Sequence, residues 1–348
     1  MNEQKKIAVL GGGSWATAIV KMLSENIETI GWYMRSEQAI EHSSYTNLLF
    51  MRSEQAIEHI KANDHNPNYL RSAELNAQQL DLSSDINITV ANYDVLIFVI
   101  PSAFLTSELT KLNTSLVAKI IFSAIKGIVP ETGLIIGEHF HKQYNIPFEN
   151  IGVITGPCHA EEVAMERLSY LTIACQDENK AKIIENSLQS WYIKTKTSDD
   201  IIGTEYAAML KNIYAVAAGM AHGLGYGDNF QAVLMSNAIR EMKRFIKKVH
   251  KMKRKINNSA YLGDLLVTGY SLFSRNRQFG NMIGKGYTVK SAQIEMSMIA
   301  EGYYATKSAF KMKEEKNMNT PIIDTVYTIL YANKSPKKEF KKLTNKLD

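Results

Sequence analysis

Lys6–Ala18 reads KIAVLGGGSWATA, and the fold follows from the order of its parts. Lys6 to Leu10 is an apolar, β-prone run of the kind that fills a buried parallel strand. Gly11, Gly12 and Gly13 then make a turn, and Ser14-Trp15-Ala16-Thr17-Ala18 suits the start of a helix. Gly11 permits a positive φ, Gly13 leaves no Cβ in the way of a pyrophosphate, and Ala16 is a third small position for close helix-to-strand packing. The first N–H groups of such a helix face an anion. A second strand candidate, Thr29 to Tyr33, lies where a βαβ unit places it, so the stretch reads as a dinucleotide-binding turn. The second strand runs into Arg35, where a NAD-specific site commonly carries an acidic residue; a cation there tilts the choice between NADH and NADPH toward NADPH.

The chain of 348 residues is long enough for two domains with real cores. Its 45% hydrophobic and 22% charged residues are ordinary for a globular protein, which sets aside disordered and fibrous classes. A net charge of +5 helps attract an anionic small molecule but gives no case for nucleic acid. The opening MNEQKK leads directly into the first strand, and the longest purely apolar run, Val95 to Ile100, is too short to cross a bilayer. A cytoplasmic protein without integral membrane contact is the expectation. Cys158 and Cys175 are too few for a disulfide framework.

Further along, MRSEQAIEH occurs twice unchanged, at Met34 to His42 and Met51 to His59. A single direct repeat lacks the regular period of a solenoid and reads as a local duplication. Both copies follow apolar residues, so either Arg35 or Arg52 could end the second strand. Strand patterns return at Asp94 to Ile100, Lys119 to Ile125, Ile151 to Thr155, Leu171 to Ala174 and Tyr192 to Lys196. Beyond Asp200 the texture becomes helical, with runs such as Glu205 to Met220 and Ala232 to Val249. The predicted architecture is α/β: a Rossmann-type, mostly parallel sheet over residues 1–200, an all-α domain over 201–333, and a polar basic tail over 334–348. The basic run Lys243 to Lys255 spaces its apolar residues as an amphipathic helix with a solvated basic face, a face that could also steer phosphates or touch anionic lipid.

Three segments make the reading specific: Gly11 to Ala18, Gly156-Pro157-Cys158-His159-Ala160-Glu161-Glu162, and Leu262-Gly263-Asp264-Leu265 with Ser274-Arg275-Asn276-Arg277. Together with Lys211-Asn212 and Glu301-Gly302, they make the chain resemble the bacterial NAD(P)-dependent glycerol-3-phosphate dehydrogenases from about residue 5 to 333. The resemblance implies reduction of dihydroxyacetone phosphate to sn-glycerol 3-phosphate for glycerophospholipid synthesis, with NADPH or NADH. It implies Gly11, Gly13, Ser14 and Trp15 at the cofactor pyrophosphate, Arg35 at its adenosine end and Ala160 at its nicotinamide half. Lys126, Gly156, Cys158, Asp264, Ser274, Arg275 and Asn276 are implied at the substrate, with Lys126 and Arg275 also reaching the cofactor. Lys211 is the implied proton-transfer residue, and Ile299 and Glu301 are implied against the dinucleotide. A homodimer is among the assemblies it allows. The chain departs from the family in having Ala16 for a third glycine and Cys158 for a serine or threonine, and its duplicated insert has no counterpart there.

This chemistry suits these residue types. Hydride arriving at a carbonyl carbon turns its oxygen into an alkoxide, which needs a proton donor and nearby positive charge. Lys211 sits among Ala207, Ala208, Met209 and Leu210, where burial disfavours its charged form. Arg275 can hold a phosphate through two parallel N–H bonds. No metal is required; in GEHFH, residues two apart such as His139 and His141 do not share a helix face, and no third ligand stands at a useful spacing. Two rivals remain at this level, another two-domain β-hydroxyacid-type dehydrogenase and a non-catalytic NADPH sensor.

Overall fold

The computed structural model describes residues 5–35, 53–296 and 300–348. Arg52 and Ile299 therefore lie outside the described residues, as does most of the first repeat copy. The described chain divides into two compact units, residues 1–125 with 136–201, and residues 126–135 with 202–348. The expected boundary near residue 200 is thus accompanied by an exchange: Lys126 to Ile135 leaves the sheet and joins the helices. Ile128 and Ile135 explain it, since both are buried among the apolar residues of the helical unit.

The first unit is one sheet of eight strands in the order β3-β2-β1-β4-β5-β6-β7-β8. These are β1 (Ile7–Leu10), β2 (Ile30–Tyr33), β3 (Leu80–Ser83), β4 (Val95–Phe98), β5 (Ile120–Ser123), β6 (Ile151–Thr155), β7 (Ser169–Cys175) and β8 (Ile193–Ser198). Every neighbouring pair is parallel except β6 with β7. The central strands are buried at every residue, as their continuous apolar runs require. Helices α1 (Ser14–Ser24), α2 (Ser53–Asn63), α3 (Ile86–Asn92), α4 (Ser102–Leu109), α5 (Ile136–Tyr144), α6 (Ala160–Ala164) and α7 (Glu178–Leu188) join them. The order reverses at β1, between β2 and β4, which opens the sheet's carboxyl edge at the usual place for a dinucleotide.

The second unit holds α8 (Ile201–Gly223, entering at Ile202), α9 (Asp228–Val249), α10 (Asp264–Tyr270), α11 (Arg275–Gly284), α12 (Val289–Glu295), α13 (Glu301–Lys316), α14 (Pro321–Leu330) and α15 (Pro336–Thr344). α8 is buried from Gly203 to Ala221, which makes it the axis of the unit. α11 crosses it without room for a side chain: a Cβ on Gly280 would stand 2.0 Å from the Val216 carbonyl oxygen.

Two sequence expectations change. Residues 334–348 are not a solvated tail, because α15 buries Phe340 and Leu343 in the helical core while its lysines face out. The basic run does not stay helical to Lys255; α9 ends at Val249, with His250 extended at φ −140°. The repeat question is also answered for the first copy: β2 ends at Tyr33 and Arg35 follows it, while Ser53 to His59 of the second copy belongs to α2.

Candidate active site

In the first unit the glycine turn is held from three sides. Gly11 adopts φ +139°, and an added Cβ would lie 2.8 Å from the Val99 carbonyl oxygen, just past β4. The Trp32 indole donates to the Gly11 carbonyl at 2.7 Å. Asn66, fully buried, donates to Thr17 Oγ1 at 2.9 Å and to the Gly12 carbonyl at 3.3 Å. Its own Oδ1 accepts from the backbone N–H groups of Asn68 and Tyr69. Asn66 sits 54 residues beyond Gly12, so spacing gives no signal for it.

These residues fit a dinucleotide. α1 starts at Ser14 with Gly13 as its N-cap and no side-chain cap, and a Cβ at Gly13 would meet nothing within 4 Å. A helix N-terminus with open space before it is what a pyrophosphate needs. Trp15 packs against the sheet core from the first turn. The Arg35 guanidinium lies 4.3 Å from the centre of the Phe104 ring. Gly156 turns the chain after β6 at φ +127°, Cys158 is buried in the sheet core, and Ala160 opens α6. The structure therefore places Gly156, Cys158 and Ala160 in the sheet unit, whereas Lys126 belongs to the helical one.

The helical unit gathers the other residues. Lys211 of α8 and Asp264 of α10 form an ion pair of 2.5 Å, both side chains almost wholly buried. Burial pulls the Lys211 ammonium down to about 7, against the opposing pull of Asp264 and with the charge of Lys126 adding to the lowering. A lysine so tuned can give or take a proton near neutrality. One turn along α10, Thr268 Oγ1 donates to the Asp264 backbone carbonyl at 2.6 Å.

One residue along, Asn212 donates to the Lys126 carbonyl at 2.6 Å and accepts from Asn276 Nδ2 at 3.0 Å. Asn276 Oδ1 accepts from the Gly302 N–H at 2.8 Å, beside Glu301 at the start of α13. Four segments far apart in sequence are thereby fixed to one another by two amides. Ser274 caps α11 by accepting from the Arg277 N–H at 3.3 Å, so Arg275 and Asn276 open a ten-residue helix. Asn212 carries no implied substrate role in the sequence reading, though its place beside Lys211 was a visible signal.

Comparison with known proteins follows this division. The description "NAD-dependent glycerol-3-phosphate dehydrogenase N-terminus" matches residues 6–181, and "NAD-dependent glycerol-3-phosphate dehydrogenase C-terminus" matches residues 200–341. The glycerol-3-phosphate dehydrogenase [NAD(P)+] of an Exiguobacterium species is 33% identical over 341 residues, covering 97% of this chain and 94% of that protein. That of Oceanobacillus iheyensis is 32% identical over 344 residues, covering 98% and 94%. Among solved structures, glycerol-3-phosphate dehydrogenase from Coxiella burnetii superposes with a TM-score of 0.84 at 24% identity, over 98% of this chain and 99% of that one, which shows a shared fold.

Proposed function

The chain belongs to the NAD-dependent glycerol-3-phosphate dehydrogenase family, and from that premise we propose how its own residues carry out reduction of dihydroxyacetone phosphate to sn-glycerol 3-phosphate with NADPH or NADH. The observation that carries the reading is the buried Lys211–Asp264 pair, whose lysine stands near neutrality within the Asn212–Asn276 scaffold.

The nicotinamide cofactor, when bound, supplies the hydride. Gly11, Gly13, Ser14 and Trp15 hold its pyrophosphate at the start of α1, Arg35 meets the adenosine end, and Ala160 borders the nicotinamide half. The Lys211 ammonium gives its proton to the carbonyl oxygen as negative charge develops there, and Asp264 holds Nζ at a fixed place for that transfer. In the reverse direction the neutral amine takes the proton from the alcohol. Lys126 adds positive charge beside the same oxygen. The Arg275 guanidinium, with the first N–H groups of α11, binds the substrate phosphate. Ser274 and Asn276 position that helix start, Gly156 and Cys158 contribute backbone donors, and Glu301 lies toward the dinucleotide.

No helix among the described residues is long and apolar enough to cross a membrane. A cytoplasmic enzyme feeding glycerophospholipid synthesis is the setting that suits the reaction. The test compares dihydroxyacetone phosphate with dihydroxyacetone while following loss of reduced nicotinamide absorbance. A preference for the phosphorylated ketone of at least ~10²-fold in kcat/KM, mostly lost in Arg275→Ala, is expected, since charged hydrogen bonds to a phosphate contribute about 1.5–3 kcal/mol each. Equal use of both ketones would remove Arg275 from the phosphate.

A further inference from the structure

The net charge of this protein resides in one segment. From Met242 to Gly263 there are eight lysines and arginines and no carboxylate, leaving 32 cations against 35 carboxylates in the rest of the chain. The first half of the segment is the end of α9. There Met242, Phe245 and Ile246 are buried in the helical core, while Lys243, Arg244, Lys247 and Lys248 are exposed on the opposite face. The chain then leaves the helix, and Lys251, Lys253 and Lys255 remain exposed, alternating with half-buried Met252, Arg254 and Ile256. Among the described residues, none of these six lysines is paired with a carboxylate. The Asp348 carboxylate is engaged with Arg240, a turn earlier on α9, and Asn237 donates to its backbone oxygen at 2.9 Å, so the end of α15 is tied to the same helix. Lys337, Lys338 and Lys341 are exposed on α15.

Such a concentration is destabilising by self-repulsion unless an anion covers it. None of these residues belongs to the proposed site, and a single small anion would occupy only a fraction of a row this long. The partner is therefore an extended anionic surface. Lysine outnumbers arginine six to two, and Arg254 is held by its own helix end, donating to the His250 carbonyl at 2.7 Å and lying 2.8 Å from His250 Nδ1. The aromatic residues of the segment, Phe245 and Tyr261, are buried. Base stacking and guanidinium forks, on which nucleic-acid recognition draws, are thus poorly served. A smeared surface of lipid phosphates needs neither and attracts each nearby lysine by about 1 kcal/mol.

We propose that the basic face formed by the end of α9 and residues 251–255 docks this protein peripherally on an anionic lipid bilayer. Met252, half-buried among the cations, supplies a shallow apolar contact, while Ile256 packs back on the helical core. The placement suits a product whose acylation yields an amphiphile that must reside in a bilayer; this clause alone rests on the proposed activity.

The test is sedimentation of the full chain with vesicles of phosphatidylglycerol mixed into phosphatidylcholine, against vesicles of phosphatidylcholine alone, at low and high salt. The wild type should partition onto the mixed vesicles at least ~10-fold better and be released by salt. The variant Lys243→Gln/Lys247→Gln/Lys248→Gln/Lys251→Gln should lose at least ~10-fold of that binding while keeping its thermal midpoint and its turnover of soluble substrate. Equal binding by wild type and variant, or no preference for phosphatidylglycerol, overturns the proposal. Retention on duplex DNA or RNA without retention on vesicles overturns it too and assigns the face to nucleic acid. Loss of ketone reduction in the wild type would refute the activity but leave the sedimentation result standing.

Discussion

The glycine turn of the sheet unit and the lysine–aspartate pair of the helical unit, which the proposed reaction assigns to cofactor binding and proton transfer, are built by opposite means. The turn is made of consecutive residues and works through backbone: a positive φ at Gly11, open space at Gly13 and a helix start at Ser14. The pair is made of side chains 53 positions apart and works through charge held out of water. A turn of the first kind fails when a side chain is added at Gly11, where the backbone leaves no room for one. A site of the second kind fails when one charge is removed, whatever replaces it.

The largest effect expected from that contrast is at Lys211. Lys211→Met keeps length and apolar character but removes the proton, so turnover should fall by about 10³-fold, within the range that positioned acid–base groups contribute. Cofactor affinity, measured by nicotinamide fluorescence, should stay within about twofold, because an effect made only in the transition state leaves ground-state binding alone. Near-normal turnover would show that the proton comes from elsewhere. Gly11→Val is the mirror experiment. Its Cβ meets the Val99 carbonyl and its φ becomes strained by about 1–3 kcal/mol, so cofactor binding should weaken by roughly 10–10²-fold. If the variant binds cofactor normally, the turn is not built on backbone geometry.

How much of each region was legible follows from the same difference. A strand, a turn and a helix in consecutive residues leave their period and their glycines in plain view, so Gly11 to Ala18 and a mostly parallel sheet could be read directly, though not the order of its strands. Lys211, Asp264 and Arg275 carry no such local signature; a lysine on an apolar helix looks like one reaching for solvent, and only the resemblance to a family pointed to them. Asn66 draws no reading and Asn212 is read beside Lys211 without a role, because their work consists of hydrogen bonds to the Gly12 carbonyl and the Lys126 carbonyl, which exist only once the chain has folded. The α15 helix was misread for a related reason: Phe340 and Leu343 are two apolar residues in a lysine-rich stretch, and composition outweighed their three-residue spacing.

A smaller effect sharpens the comparison through pH. With Lys211 near 7, ketone reduction needs the ammonium and should decline about tenfold per pH unit above that value, while alcohol oxidation should rise and level off. A glycine turn has nothing to titrate, so cofactor affinity should not follow this profile. Parallel pH dependence of turnover and cofactor binding would show that Lys211 is not the group responsible.

The smallest effect concerns a buried charge that the reaction does not use. Glu241 of α9 is fully buried and accepts from the Ile322 and Ile323 N–H groups at the start of α14, at 2.9 and 3.1 Å. Burial raises its carboxyl to about 8; the two N–H bonds and Arg244 oppose the shift, and Asp324 adds to it, with Tyr214 of α8 beside it. The folded protein thus binds a proton here more tightly than the unfolded chain, whose carboxyl titrates near its ordinary 4.5. Stability from this group is complete below 4.5 and is lost as pH rises through about 8. Lys211 has the opposite sign, since its lowered folded value makes stability rise with pH from about 7 toward 10.5. The window from pH 5 to 7 therefore isolates Glu241. Glu241→Gln keeps one oxygen acceptor and cannot titrate, so it should be less stable than the wild type at pH 5, with the gap narrowing by more than about 1 kcal/mol by pH 7. Urea melts of both proteins at the two pH values check this, and a constant gap would mean that the α14 cap is held by a carboxylate ionised throughout.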